Sequence, residues 1–251
     1  MSDTADAALA SHVALERLLA DTPALARLLP AGYLDAAQRF VALLLSANQR
    51  LNLTRVTDPA EVARLHLLDA LAALPILDAL GGEDRIDLGS GGGVPAIPLA
   101  MARADEHWTL VDSVGKKATA LREMAEGLGL RNVTVLAQRA ETLGRNPLHR
   151  ESHQVVTARA CAALPVLAEL ALPLLRVGGH LLAWKGPLAE HDEEIRLGRL
   201  ALAEIGGEKP RIIEPGLEAL GGHRFVVAAK ERETPARFPR RPGEPARRPL
   251  G

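Results

Sequence analysis

The sequence predicts an α/β protein with a doubly wound, mostly parallel seven-stranded sheet behind an N-terminal helical section. Three observations lead there. Leucine and alanine recur at helical spacing over the first third of the chain, short apolar runs alternate with helical periods from Arg85 onward, and a glycine-rich turn follows the first of those runs.

Residues 8–29 and 33–50 read as helices, with Asp21, Pro23, Pro30 and Gly32 as stops. Leu51-Asn52-Leu53-Thr54-Arg55-Val56 is a loop or extended piece, and Asp58-Pro59 opens a further helix reaching about Leu74, with His66 and Asp69 one turn apart. The strand and helix alternation then begins: Arg85–Leu88, a helix from Pro95 to Arg103, Trp108–Val111, a helix from Lys116 to Leu128, and Asn132–Leu136. That βαβαβ order implies a parallel sheet covered on both faces. Strands are expected at Gln154–Ala158, His180–Trp184, Arg211–Glu214 and Arg224–Lys230, with a helix over Leu164–Leu175 and a turn at Val177-Gly178-Gly179. The division expected is a helical section over 1–83, a Rossmann-like domain over 84–231, and a Pro/Arg-rich tail over 232–251. The tail is too proline-dense for a helix, and reads either as a solvated end or as a basic strap lying on the domain or on RNA.

A formal net charge of −1 gives no global pull toward nucleic acid or membrane, so either partner requires a local basic patch. The single cysteine, Cys161, excludes an intramolecular disulfide and a multi-cysteine zinc site, and fits a reducing compartment. No apolar run approaches bilayer length, and the N-terminus is acidic. A cytoplasmic protein, with no metal and no membrane partner, is expected.

The turn Asp87-Leu88-Gly89-Ser90-Gly91-Gly92-Gly93-Val94-Pro95 carries the first chemical signal. It departs from the G-x-G-x-x-G dinucleotide spacing, because Val94 stands where the third glycine belongs. Asp87, at the mouth of the turn, repels a pyrophosphate and welcomes a cation. Gly89, Gly91 and Gly93 beside that acid therefore point to S-adenosylmethionine, which carries an ammonium and a sulfonium and no phosphate. Ligands of doubly wound sheets sit at the carboxyl ends of the strands, so the residues closing each strand are the candidates. Asp112, 23 positions after Gly89, suits ribose hydroxyls, or caps the next helix. Gln138-Arg139-Ala140-Glu141 follows the third strand, and Arg159 ends the fourth, where a guanidinium is costly unless it pairs or meets a ligand. Lys185 ends the fifth on the same rim.

In this order the segments resemble the bacterial RsmG (GidB) family, guanine-N7 methyltransferases of small-subunit ribosomal RNA. The resemblance spans nearly the whole chain. It rests on Leu51-Asn52-Leu53-Thr54, His66-Leu67-Leu68-Asp69-Ala70-Leu71, the glycine turn with Pro95 and Pro98, and Leu110-Val111-Asp112-Ser113 followed by Lys116-Lys117. Arg139-Ala140-Glu141, Thr157-Ala158-Arg159-Ala160, Trp184-Lys185-Gly186 and Phe238-Pro239-Arg240-Arg241-Pro242-Gly243 complete it. It implies a class I S-adenosylmethionine-dependent methyltransferase fold acting on 16S ribosomal RNA or the small ribosomal subunit. Gly89, Val94, Ala140, Glu141 and Arg159 fall on its cofactor positions, and Arg139 and Lys185 on its active-site rim. Val94, Ala96 and Ala70 depart from the family pattern of aromatic or leucine, glycine, and serine. Methylation of N7 removes no proton, so Asn52, Arg139 and Lys185 are expected to position guanine or phosphate rather than act as bases. His66, Lys116, Lys117, Arg240 and Arg241 are expected to contact RNA, and a monomer is expected. Cys161 is set aside as a nucleophile and read as a small core residue. The alternatives are a methyltransferase of another RNA, a nicotinamide-dependent oxidoreductase, and a non-catalytic RNA-binding protein.

Overall fold

The computed structural model describes residues 2–251, so the first residue of the N-terminal section lies outside the described residues. Seven strands form one sheet: β1 Asp84–Leu88, β2 His107–Val111, β3 Val133–Leu136, β4 His153–Arg159, β5 Leu175–Lys185, β6 Arg211–Ile213 and β7 Arg224–Ala229. Their order is β3-β2-β1-β4-β5-β7-β6. The first five run parallel, and β7 is antiparallel to both neighbours. All seven expected strands are present. The chain winds outward from β1 to β3 and then crosses to β4, so the switch point lies between the carboxyl ends of β1 and β4. Strand β5 starts earlier than expected and absorbs the Val177-Gly178-Gly179 turn as a bulge, where pairing jumps from His153↔Leu175 to Val155↔His180. Glycine is required there, because a Cβ on Gly179 would lie 2.8 Å from the Gln154 carbonyl oxygen.

One face of the sheet is covered by α1 Ser2–Ala20, α2 Pro23–Ala26, α3 Tyr33–Leu51, α4 Pro59–Val62, α5 Asp69–Leu71, α6 Leu74–Leu80, α7 Ala96–Ala102 and α8 Gly115–Gly127. Phe40, Leu44 and Leu71 of the N-terminal helices share one apolar cluster with Ile97, Trp108 and Leu182, so this section closes a layer of the sheet's own core. Between α4 and α5 the helix widens into a π turn over Ala63–Leu68. The other face carries α9 Ala140–Leu143, α10 Leu164–Ala171, α11 Glu193–Ile205 and α12 Glu244–Arg247. Its core joins Ile86, Val156, Leu167, Leu202 and Phe238.

The tail lies against this second face. Phe238 is buried, and Arg150 donates to the Phe238 carbonyl at 2.9 Å and the Thr234 carbonyl at 2.8 Å. Arg240 donates from Nε and Nη2 to Glu169, whose side chain is wholly buried. The expectation that proline excludes a helix fails for one turn. Pro245 sits in the first turn of α12, where a missing N–H costs nothing.

Candidate active site

Two adjoining cavities open at the switch point, and His66, Arg159 and Ala160 line both. The smaller, about 200 Å³, is lined by Gly89–Gly92, Val94, Lys117 and the Leu53-Thr54 loop. The larger, about 360 Å³, is bounded by Asp69, Trp184, Lys185, Gly186 and His223.

The glycine turn makes the floor of the smaller cavity. Gly89 and Gly91 take positive φ, 70° and 52°, which β-carbon-bearing residues rarely adopt. Gly93 also has positive φ but lies off the cavity. A Cβ there would lie 2.4 Å from Ile97 Cδ1, so this glycine serves helix packing rather than a ligand. Asp112 Oδ2 accepts from the Gly91 amide at 3.0 Å and Oδ1 from the Val114 amide at 2.8 Å, clasping the turns after β1 and β2 together. Val114, rather than Asp112, is the residue at the N-cap of α8.

Asp87 corrects the sequence reading. Its register partner is Thr157 of β4, whose hydroxyl donates to Asp87 Oδ1 at 2.7 Å. The carboxyl lies beneath the turn, fully buried, and does not line the cavity. Burial raises its pKa to about 6, against the lowering effects of Ser90, Thr157 and Arg159.

Arg159 closes β4 and forms the wall between the cavities. It donates to Asp69 Oδ2 at 2.9 Å, to the Leu65 carbonyl on the π turn, and to His66 Nδ1 at 3.1 Å. Ion pair and cavity wall coexist. A guanidinium only donates, so His66 Nδ1 is the acceptor and Nε2 carries the proton given to Thr54 Oγ1 at 2.7 Å. Burial first, and Arg159 second, bring the His66 pKa down to about 4. A buried neutral imidazole is no phosphate contact, so the RNA-binding expectation for His66 gives way to a structural place in the wall. Asp69 also takes a hydrogen bond from His223 Nδ1 at 2.8 Å, and its carbonyl accepts from Trp184 Nε1 at 3.0 Å.

Lys185 does line the larger cavity, as expected, but its ammonium is already held by Glu194 at 2.6 Å and the Ala162 carbonyl at 2.9 Å. Asn52, expected to position the base, lines neither cavity. It ends α3 in the left-handed conformation (φ 49°) and is exposed. Arg139 is likewise exposed at the N-cap of α9 and outside both cavities. Ala140 begins α9, and the Glu141 carboxylate accepts from the Gly243 amide at 2.7 Å, holding the tail. Arg240 is committed to Glu169 and is not available to phosphate as expected. Lys116 and Arg241 are exposed, and Lys117 reaches the smaller cavity. Cys161 is exposed rather than in the core, with Sγ 3.0 Å from where a Gly89 Cβ would stand. Desolvation at the rim, then Asp87 and Asp112, push its thiol up to about 11, so it carries no thiolate at neutral pH.

Thr54 and Asp69 stood in quoted segments without roles, and His223 and Glu194 were missed. Only three-dimensional contact marks the last two.

Comparison with known proteins follows the same lines. A family model described as GidB, rRNA small subunit methyltransferase G, matches residues 33–206. The Ribosomal RNA small subunit methyltransferase G of Deinococcus radiodurans is 49% identical over 216 residues, 84% of this chain and 83% of that protein. Its counterpart in Rubrobacter xylanophilus is 44% identical over 216 residues, covering 83% and 81%. Among solved structures, MtNAS in complex with S-adenosylmethionine superposes with a TM-score of 0.52 at 17% identity, over 76% of this chain and 72% of that one. The CurJ carbon methyltransferase gives 0.50 at 16% identity, over 87% and 70%. At such identities these two likenesses speak to fold alone, which is that of class I methyltransferases.

Proposed function

The chain belongs to the rRNA small subunit methyltransferase G family, and from that premise we propose that it moves a methyl group from S-adenosylmethionine to N7 of a guanine in 16S-type ribosomal RNA. The observation that carries the reading is the pair of cavities meeting at one wall. A glycine-floored pocket suits the donor, and the larger pocket beside it, about 360 Å³, has room for a purine acceptor. Family membership removes the nicotinamide-dependent alternative.

The residues present fit the donor. Gly89 and Gly91 leave the turn without β-carbons, and the buried Asp87 and the clasping Asp112 place two carboxyl groups beneath and beside it. Lys117 and Arg159 also line this pocket, Arg159 already paired with Asp69, so the fit rests on the bare glycine backbone rather than on net charge. When bound, S-adenosylmethionine supplies an electrophilic methyl group on a sulfonium. Gly89, Gly91 and Val94 would line it, and Arg159 would border it. The places expected for Asp112 at ribose and for Glu141 on the cofactor have less support, because both carboxylates are already engaged by backbone amides.

Guanine N7 holds its lone pair in the ring plane and loses no proton on methylation, so no side chain has to act as base. The protein's work is alignment and exclusion of water. Lys185, neutralised by Glu194, puts little net positive charge against a base that becomes cationic. The exposed Arg139, Lys116 and Arg241 suit RNA phosphates, with Lys117 nearer the donor pocket. Among the described residues no helix is long and apolar enough to cross a membrane. The reading takes the protein as a cytoplasmic monomer.

The test is incorporation of labelled methyl from S-adenosylmethionine into small subunits, or their RNA, from a strain lacking this gene. Reverse transcription then maps the modified base. Incorporation at a guanine N7 is expected, and none across a range of magnesium concentrations overturns the proposal.

A further inference from the structure

Both purines carry a nucleophilic N7, so aiming a methyl group at N7 does not choose guanine over adenine. The choice has to come from the groups that differ between them: the position-6 substituent beside N7, and N1 with the exocyclic amine on the Watson–Crick edge. We propose that His223 makes it, by accepting a hydrogen bond from the N1–H or exocyclic amine of the target guanine; this rests on the acceptor pocket assigned above.

The ring is fixed by its other nitrogen. Asp69 Oδ1 lies 2.8 Å from His223 Nδ1, and a carboxylate only accepts, so Nδ1 carries the hydrogen. In the neutral ring Nε2 is then an acceptor. It has no protein partner among the described residues, and the ring borders the larger cavity with its side chain 28% exposed. Asp69 is itself held by Arg159, so its carboxylate cannot turn away. The backbone behind His223 is equally fixed. The His223 amide donates to the Leu220 carbonyl at 2.9 Å, and Arg64 Nη1 ties the Ala219 carbonyl to the N-terminal helices at 3.2 Å.

Neighbouring positions on the pocket rim differ in chemistry, since Lys185 pairs with Arg224 in the β5–β7 register and so stands, with Gly186, beside His223. Lys185 and Gly186 supply donors that suit O6, whereas His223 supplies an acceptor. Guanine presents an acceptor at O6 and donors at N1 and the exocyclic amine, which matches that order. Adenine presents a donor amine at position 6 and a lone pair at N1, reversing it. An adenine in the same pose would set two lone pairs against each other and turn its amine toward the donors of Lys185 and Gly186, and sites built to hydrogen-bond one pattern reject the reversed one.

The test compares wild type, His223→Ala and His223→Gln on small-subunit RNA ligated to carry guanine, inosine or 2-aminopurine at the target position. Inosine lacks only the exocyclic amine; 2-aminopurine keeps that amine but lacks both the N1–H and O6, so the readout is the ratio of wild type to variant on each base rather than the absolute rate. Loss of one hydrogen bond predicts that His223→Ala lowers kcat/KM on guanine by about tenfold with S-adenosylmethionine affinity unchanged, and lowers the melting temperature modestly because Asp69 keeps Arg159 but loses the His223 hydrogen bond. The loss should shrink below about twofold on the analogue missing the donor that His223 engages. His223→Gln, with an amide oxygen near the position of Nε2, should keep much of the guanine rate. An equal loss on all three bases, or none on guanine, overturns the proposal. Wild-type protein that methylates no base in small-subunit RNA instead overturns the functional reading itself.

Discussion

Arg159 Nη1 lies 2.9 Å from Asp69 Oδ2, and this pair joins the end of β4 to the N-terminal helices across the wall of both cavities. Asp69 is 4% exposed at its side chain, so removing Arg159 strands a buried carboxylate. Breaking one side of such a pair costs about 3–5 kcal/mol. Arg159→Ala is therefore expected both to weaken S-adenosylmethionine binding and to lower stability, rather than to act on binding alone. Adding Asp69→Asn should recover part of the stability and none of the affinity. Calorimetric titration with urea denaturation checks this, and unchanged cofactor affinity removes Arg159 from the site.

His66 and Asp87 predict opposing pH dependences. The His66 pKa falls from 6.5 to about 4, so the unfolded chain binds the proton first and stability declines as pH drops from about 6.5 toward about 4. The Asp87 pKa rises from 3.8 to about 6. Its effect is absent below about 3.8 and costs stability as pH rises through about 6. Each shift of about two units is worth about 3 kcal/mol, and over the shared window they offset. Asp87→Asn should thus be more stable than wild type at pH 7 by up to that amount, and equal to it near pH 4. Denaturation midpoints at the two pH values decide. An advantage that does not change with pH sinks this account.

Much of the fold was legible because period and composition agree over the sheet: all seven strands fell within a few residues of their expected places. Helix α11 was missed although Asp192 precedes it, Glu193 and Glu194 occupy its first turn, and Gly206 ends it in the left-handed conformation. Those signals are local and were there to read. The site divides differently. Arg159 and Lys185 do line the cavities, and a charge ending a buried strand is what drew attention to them. Asp87, Glu141 and Arg240 prove to be engaged within the protein, by Thr157, Gly243 and Glu169, and such partners are distant in sequence and invisible to spacing. Asn52 shows the same limit from the other side, since a left-handed helix end and a base contact ask for the same amide.

The tail gives a prediction of its own. Glu169 is completely buried and takes Arg240 at 2.9 Å and 2.5 Å. Arg240→Ala should destabilise the protein by about 3–5 kcal/mol, and pairing it with Glu169→Leu should restore most of that. If Arg240 instead contacted phosphate, its loss would flatten the dependence of RNA affinity on salt by about one ion. An unchanged salt slope with a lowered midpoint is the expected result, measured by filter binding and urea denaturation.

Lys185 separates positioning from cofactor binding. Its ammonium sits on the larger cavity, while the glycine turn that floors the smaller one lies elsewhere. Lys185→Ala should leave S-adenosylmethionine affinity within about twofold and slow methyl transfer by about 10- to 100-fold, a range typical for loss of a group that orients the reacting partner. Glu194 retains the Leu164 amide at 2.8 Å in this variant, so its carboxylate is not orphaned and the fold should survive. Glu194→Gln makes the complementary test. It leaves Lys185 in place but unneutralised, next to a base that gains positive charge, so turnover should fall while RNA affinity rises. Single-turnover rates and RNA binding for the two variants distinguish the cases, and equal turnover in Lys185→Ala would reduce Lys185 to a partner of Glu194 that pins α11 to β5.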